Sequence, residues 1–309
     1  MIPVMPPKLT RRAALAGAAA LPFAAAVSPA RAEAPMMGVQ TAPFNRVALG
    51  DFEVTTLLAG SRTVPDPQTI FGLNVTPEEF AEASNAARIP TDQARFFFTP
   101  TLVNTGAELI LFDTGLAGEA TVAVLAAAGY GPEQVDVVVI THMHGDHIGG
   151  LMTEGAPTYP NARYVTGAVE FDAWDKTGNE TFEAQMRPLA EQTAFIDDGA
   201  SVAGGITAMA AFGHTPGHMV YMLDSSGKQL LLGADFANHY VWSLAHPDWE
   251  VKFDQDKPAA AATRRRLLDM LAAEAVPFVG YHMPWPGLGY VERRGDGFAY
   301  VPHSYQLLL

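Results

Sequence analysis

Thr141-His142-Met143-His144-Gly145-Asp146-His147 places four metal-type side chains within six residues. The stretch follows directly on Val135–Ile140, a short and almost wholly apolar run that reads as a strand buried on both faces. In an extended segment, side chains two residues apart point the same way. His142 and His144 can therefore face one metal ion. Gly145 lets the chain turn, so Asp146 and His147 can face a second ion nearby. Neutral imidazole and carboxylate suit zinc, manganese or iron(II). The bland alternative is a solvated polar loop, and the downstream sequence weighs against it.

Each further candidate ligand also closes a predicted strand. His214 follows Ile206–Ala211, Asp235 follows Gln229–Leu232, and His282 follows Pro277–Tyr281. All nine histidines lie at or beyond position 142, and the chain of 309 residues has no cysteine. Thiolate catalysis, disulfides and zinc ribbons are thereby excluded, and any metal must be held by His, Asp or Glu. The formal charge of -14 argues against a nucleic-acid partner, which needs clustered Lys and Arg.

Outward from the histidine stretch, the pattern alternates grouped strands with helices. Phe52–Leu58 reads as a strand, and Ser61 to Val75 as an irregular loop. Thr76 caps a helix running to about Arg88. Phe96–Val103 and Glu108–Phe112 read as strands, and Glu119–Ala128 as a helix stopped by Gly129. Arg163–Thr166 reads as a strand, and the segment from Ala168 to Thr193 as mostly helical. Met219–Leu223 and Gln229–Leu232 form a hairpin. Pro258 to Ala275 is a long helix. One α/β domain over residues 33–309 follows, with sheets covered by helices.

Residues 1–32 stand apart. They hold Lys8, Arg11, Arg12 and Arg31 and no acid, with an apolar run from Ala13 to Val27 and a small-x-small site at Ala30-Arg31-Ala32. This is the layout of a secretory signal, and the arginine pair resembles a twin-arginine signal, although Ala14 stands where phenylalanine is common. Removing the four positive charges takes -14 to -18. The expectation is a periplasmic or secreted protein with no membrane span after processing.

The ligand series resembles the metallo-β-lactamase fold superfamily. His142, His144, Asp146 and His147 match its HxHxDH motif, His214 its third-histidine motif, Asp235 its bridging aspartate and His282 its last histidine. Asp113, in Leu111-Phe112-Asp113-Thr114-Gly115, matches its early aspartate at a strand end. The late segment Gly280–Gly287 and the Gly213–His218 loop look similar to the branch of methyl parathion hydrolase and its lactonase and esterase relatives. The resemblance implies a four-layered αββα sandwich with the site at one edge. It implies two divalent ions, with zinc expected and manganese, iron or cobalt as alternatives. His142, His144 and His214 would hold one, Asp146, His147 and His282 the other, and Asp235 would bridge them. Asp113 would orient a ligand imidazole, and His218 would play a structural hydrogen-bonding role. A hydroxide bridging the ions would attack a carbonyl or phosphoryl centre, making Asp146 and Asp235 catalytic through the ions they hold.

The expected substrate is a small neutral or weakly charged lactone or carboxylic ester, because the short stretch between Asp113 and Glu119 lacks an aromatic-bearing extension. Phosphotriester hydrolysis is the alternative. β-Lactamase or thioesterase activity and a non-catalytic metal-binding role stand behind it. The bridging aspartate argues against the β-lactamases, and no basic cluster near the C-terminus supports a thioesterase acting on glutathione. Trp174, Tyr240, Trp242, Trp249, Phe253, Tyr281 and Trp285 are candidates for an apolar substrate pocket. Tyr240 and Tyr281 are also candidate proton donors to the leaving group. Family analogy implies a homodimer.

Overall fold

Val137–Ile140 is buried along its whole length and faces two layers alternately. Val137 and Val139 join the apolar layer between two sheets. Val138 and Ile140 join a layer shared with Leu125, Phe171 and Phe182 of the covering helices. The strand pairs in parallel with Leu109–Phe112 on one side and Arg163–Gly167 on the other, which is why it carries no polar face.

The computed structural model describes Met36 and residues 38–304. The expected export signal lies outside them. The chain separates into Met1–Thr41 and Ala42–Leu309, and the second unit holds every element discussed below. Its first sheet runs in the order Phe44–Leu49, Phe52–Leu57, Thr101–Asn104, Leu109–Phe112, Val137–Ile140, Arg163–Gly167, Thr193–Ile196. Its second runs Ser201–Ala203, Ile206–Ala210, Met219–Ser225, Lys228–Ala234, Phe278–Gly280, Leu288–Arg294, Gly297–Pro302. Residues of both sheets mix in one core, among them Ile110, Val139, Tyr221 and Leu232. The helix Lys257–Glu274 covers the outer face of the second sheet with Leu267, Leu268 and Leu271. The helices Gly118–Ala127 and Ala168–Trp174 cover the outer face of the first. This is the expected αββα order.

Parallel pairing explains where the site falls. Leu109–Phe112 and Val137–Ile140 end at the same edge, which brings Asp113 beside Thr141. Lys228–Ala234 and Phe278–Gly280 are also parallel, so Asp235 and His282 leave their strands side by side.

Several sequence expectations need correction. Gly60–Pro65 is a strand, not loop, and pairs antiparallel with Gln93–Phe98 in a two-stranded ribbon outside both sheets. Its exposed Ser61, Arg62 and Thr63 hide the pattern, and its partner lies about thirty residues on. Phe96–Val103 is not one strand. It breaks at Thr99-Pro100, between the ribbon and Thr101–Asn104 of the first sheet. The segment from Ala168 to Thr193 is mostly helical as expected, in two short helices and a 3-10 stretch, and Thr193 opens a strand. The helix Pro77–Ala86 starts as expected, with Thr76 and Glu79 closing a capping box.

Candidate metal centre

The stretch read first folds as expected locally. After Ile140 the chain bends at Thr141, His144 is extended, and Gly145–Ile148 makes a single helical turn. His142 Nε2 and His144 Nδ1 end 3.0 Å apart. The Gly213–His218 loop brings His214 Nε2 to 3.0 Å from the same His144 nitrogen. Donors held about 2.0–2.1 Å from a tetrahedral ion lie roughly 3.3 Å from one another, so this spacing suits one ion.

A second cluster adjoins the first. His147 Nε2 lies 3.7 Å from Asp146 Oδ2 and 3.3 Å from Asp235 Oδ1. His282 Nε2 lies 3.4 Å from Asp146 Oδ2 and 3.2 Å from Asp235 Oδ2. Asp235 Oδ2 is also 3.4 Å from His214 Nε2, so one carboxylate reaches both clusters. Ala234, at φ 45°, takes a left-handed backbone just before it. Such strain is held in place where surrounding structure fixes a side chain's direction.

The hydrogen bonds settle which nitrogens carry lone pairs. His282 Nδ1–H donates to the Phe97 carbonyl at 2.8 Å, so Nε2 is free. His147 Nδ1–H donates to Asp113 Oδ2 at 2.8 Å, and His214 Nδ1–H to Asp254 Oδ1 at 2.9 Å. The Thr141 hydroxyl donates to Asp113 Oδ2 and accepts from His142 Nδ1–H, which frees His142 Nε2. His147 Nε2 and Asp235 Oδ1 are buried without any hydrogen-bond partner. Buried polar atoms are rarely left so, and a divalent ion satisfies both. The donor set therefore fits two ions of borderline hardness.

Charge is distributed unevenly between the clusters. Burial drives the His142 and His144 imidazoles well below their ordinary pKa, and the neighbouring histidines add to the shift. Burial would lower His147 as well, but Asp235, Asp113 and Asp146 outweigh it and hold that group well above. Burial alone would raise Asp235, yet His282 and His147 keep its carboxyl well below the usual range. The first cluster is made of imidazoles, and the second carries the carboxylates.

His218 lies behind the clusters. Its Nδ1–H donates to the Ala211 carbonyl at 3.2 Å, and its Nε2 accepts the Asp235 backbone N–H at 3.1 Å. Both ring nitrogens are used, and burial pushes its pKa down to about 3. It fixes the Asp235 backbone rather than a ligand position. Three further supports were not read from the sequence. Asn238 donates to Asp235 Oδ2 at 2.9 Å. Asp254 links His214 to the buried Arg264, which donates to it at 2.7 Å and also to the Phe236 carbonyl. Glu170, wholly buried, accepts from three donors in two ligand loops.

Four of the donors, His144, Asp146, Asp235 and His282, form the floor of a cavity of about 590 Å³. The ribbon contributes Arg62, Val64, Phe96 and Phe98 to its wall, and Ile70, Leu116 and Phe253 complete the apolar part. Of the expected aromatic lining, Phe253 is there. Trp174, Tyr240, Trp242, Trp249, Tyr281 and Trp285 do not line this cavity. Trp174 is buried with its edge against His144, 5.7 Å between ring centroids. Tyr281 packs on His147 and donates its hydroxyl to the Asp146 carbonyl, so it is not placed to protonate a leaving group. Trp249 stacks on His246. Tyr240 and Trp242 line a second cavity of about 380 Å³, bordered by Thr63, Arg95 and Phe97 of the ribbon, and His282 borders both cavities. Trp285 is half-buried in the turn after His282 and lines neither.

The profile of the metallo-beta-lactamase superfamily matches residues 99–282, which span Asp113 and all seven clustered donors. The chain belongs to the metallo-beta-lactamase superfamily. Among solved structures of that fold, AidC, a dizinc quorum-quenching lactonase in complex with a product, is 25% identical, with a TM-score of 0.78 over 85% of this chain and 98% of that one. The hydrolase AbOPH is 23% identical, with a TM-score of 0.80 over 86% and 99%. AiiA of B. thuringiensis, with N-decanoyl-L-homoserine bound at its active site, is 18% identical, with a TM-score of 0.59 over 77% and 94%. No curated protein sequence matches the chain.

Proposed function

We propose that this superfamily member is a dinuclear metal-dependent hydrolase that opens a lactone or cleaves a carboxylic ester bearing an apolar acyl group. The observation that carries the reading is the convergence of seven donors into two clusters that share Asp235, four of them at the floor of an apolar-walled cavity. The likeness to AidC, itself a dizinc lactonase, supports the same class. Zinc is the expected metal.

Two divalent ions would act as Lewis acids and lower the pKa of water towards neutrality. The chain holds the ligands in place and shapes the cavity. Asp235 joins the clusters, and Asn238 and His218 hold its side chain and backbone in one pose. Asp113 and Asp254 fix the tautomers of His147 and His214. Val64, Ile70, Phe96, Phe98 and Phe253 offer an apolar surface to an acyl chain and exclude water from the floor.

Metal analysis with a panel of lactones, aryl esters, phosphotriesters, thioesters and β-lactams tests this. The expected result is two metals per chain, with lactones or aryl esters turned over fastest. A metal content near one per chain, or turnover confined to phosphotriesters, overturns it. We infer also that residues 1–32 direct export to the periplasm, on the arginine pair, apolar run and small-x-small site. An exported protein beginning at Glu33 is the expected product. Retention of residues 1–32 would overturn that inference.

A further inference from the structure

Glu170 is a buried carboxylate with no exposed surface, in the helix Ala168–Trp174. Its Oε1 accepts the Met143 backbone N–H at 3.0 Å. Its Oε2 accepts the Gly217 N–H and the Thr215 hydroxyl, each at 2.8 Å. Met143 lies between His142 and His144, and Thr215 follows His214 directly. The three donors thus come from the two loops that carry the first cluster. Those loops meet through the 3.0 Å approach of His144 Nδ1 to His214 Nε2. The fit around Glu170 is tight. A Cβ on Gly217 would lie 2.1 Å from the Glu170 backbone nitrogen, so only glycine lets the second loop reach the carboxylate. The second cluster leans on a different acid, Asp113, which holds His147 and Thr141.

We propose that Glu170 is the positioning residue of the first metal subsite, setting the distance between the His142–His144 segment and His214 while leaving the second subsite to Asp113. The proposal rests on the reading of those histidines as metal ligands. An ionised carboxylate is required because both of its oxygens accept. A glutamine of the same shape must turn an NH₂ group either to the Met143 N–H or to the Gly217 and Thr215 donors. Donor then faces donor, and the two loops are pushed apart.

The test is a competition titration of the metal-free full chain with Zn²⁺ against a chromophoric chelator. It yields two affinity constants. His144→Ala identifies the constant that belongs to the first subsite. In Glu170→Gln that constant weakens by roughly 10–100-fold, the range for residues that orient ligands, and the other changes little. Thr215→Val, which removes one donor and keeps the acid, weakens the same constant by a smaller factor. Should Glu170→Gln fail to fold, as read by circular dichroism, Thr215→Val carries the test alone. Constants unchanged, or weakened equally, in the folded variants overturn the proposal and leave the dinuclear reading standing. A wild-type chain that binds a single equivalent overturns both.

Discussion

The floor and the wall of the main cavity are built by different rules. The floor is a set of strand ends. Thr141–His147, Asp235 and His282 leave parallel strands at one edge, and buried hydrogen bonds from Asp113, Asn238 and His218 fix them. The wall is a two-stranded ribbon outside both sheets, with Ile70 and Phe253 from neighbouring loops. Side chains on the floor are held by polar contacts that specify direction. Side chains on the wall are held by packing, which specifies volume. Changes to the floor should therefore remove chemistry, and changes to the wall should retune what is bound.

The largest expected effect is at the residue both clusters share. Asp235→Ala should lose several kcal/mol of transition-state stabilisation, about 10³-fold in kcat/KM, together with at least one metal. Full activity in that variant would break the distinction between floor and wall. A smaller loss is expected at Asp113→Asn, because the His147 Nδ1–H then meets an amide rather than a carboxylate. Affinity for the second metal should fall roughly 10–100-fold, read by metal titration. An equal fall for both metals would mean that Asp113 supports the whole edge rather than His147.

On the wall, Ile70→Ala should act through KM. Ile70 lines the cavity and packs against the apolar cluster that holds Phe71, Phe80, Phe96 and Phe98. For a long-acyl ester KM should rise about tenfold with kcat kept, and for an acetyl ester neither should change. A matching loss of kcat on both substrates would show that the wall positions the reacting carbonyl as well.

The same division governs what the sequence disclosed. Ligands at strand ends are legible because each couples a short apolar run to a titratable residue, as in Val137–Ile140 before His142. The αββα layering follows from the same runs. The wall was misread because a ribbon's hydrophobicity is shared with its partner. Arg62 and Thr63 look like loop until Phe96 and Arg95 are seen opposite them. Tryptophans near ligand segments looked like pocket lining, yet Trp242 spends its ring on Phe71, Phe80 and His239 and its N–H on Ser84. Glu170 and Asp254 were invisible for another reason. A lone acid in a helix or loop shows nothing of the donors it meets, and those lie 27 to 47 residues from Glu170 and 10 and 40 residues from Asp254.

The smallest effect lies behind the ribbon, where His239 borders the second cavity. Its Nδ1 accepts the N–H groups of Val241 and Trp242, both at 3.2 Å, so the neutral ring carries its proton on Nε2. The ring stacks on Trp242 at 3.9 Å, and burial pushes its pKa down to about 3. An unfolded chain takes up this proton near pH 6.5 and the folded chain does not. His239 therefore leaves stability untouched above about pH 6.5. Below that it subtracts about 1.4 kcal/mol per pH unit, until its folded pKa is reached. Replacing it with glutamine, whose carbonyl can still accept a backbone N–H, should remove that slope. Denaturant titrations of metal-free wild type and His239→Gln at pH 7, 6 and 5 measure the difference. The variant should gain on the wild type by about 0.7 kcal/mol between pH 7 and 6 and by about 1.2 kcal/mol between pH 6 and 5. Histidines of the metal clusters contribute to both chains alike, so they cancel in that difference. A difference that stays constant with pH would place the His239 ring in water, and the wall would then be looser than its packing indicates.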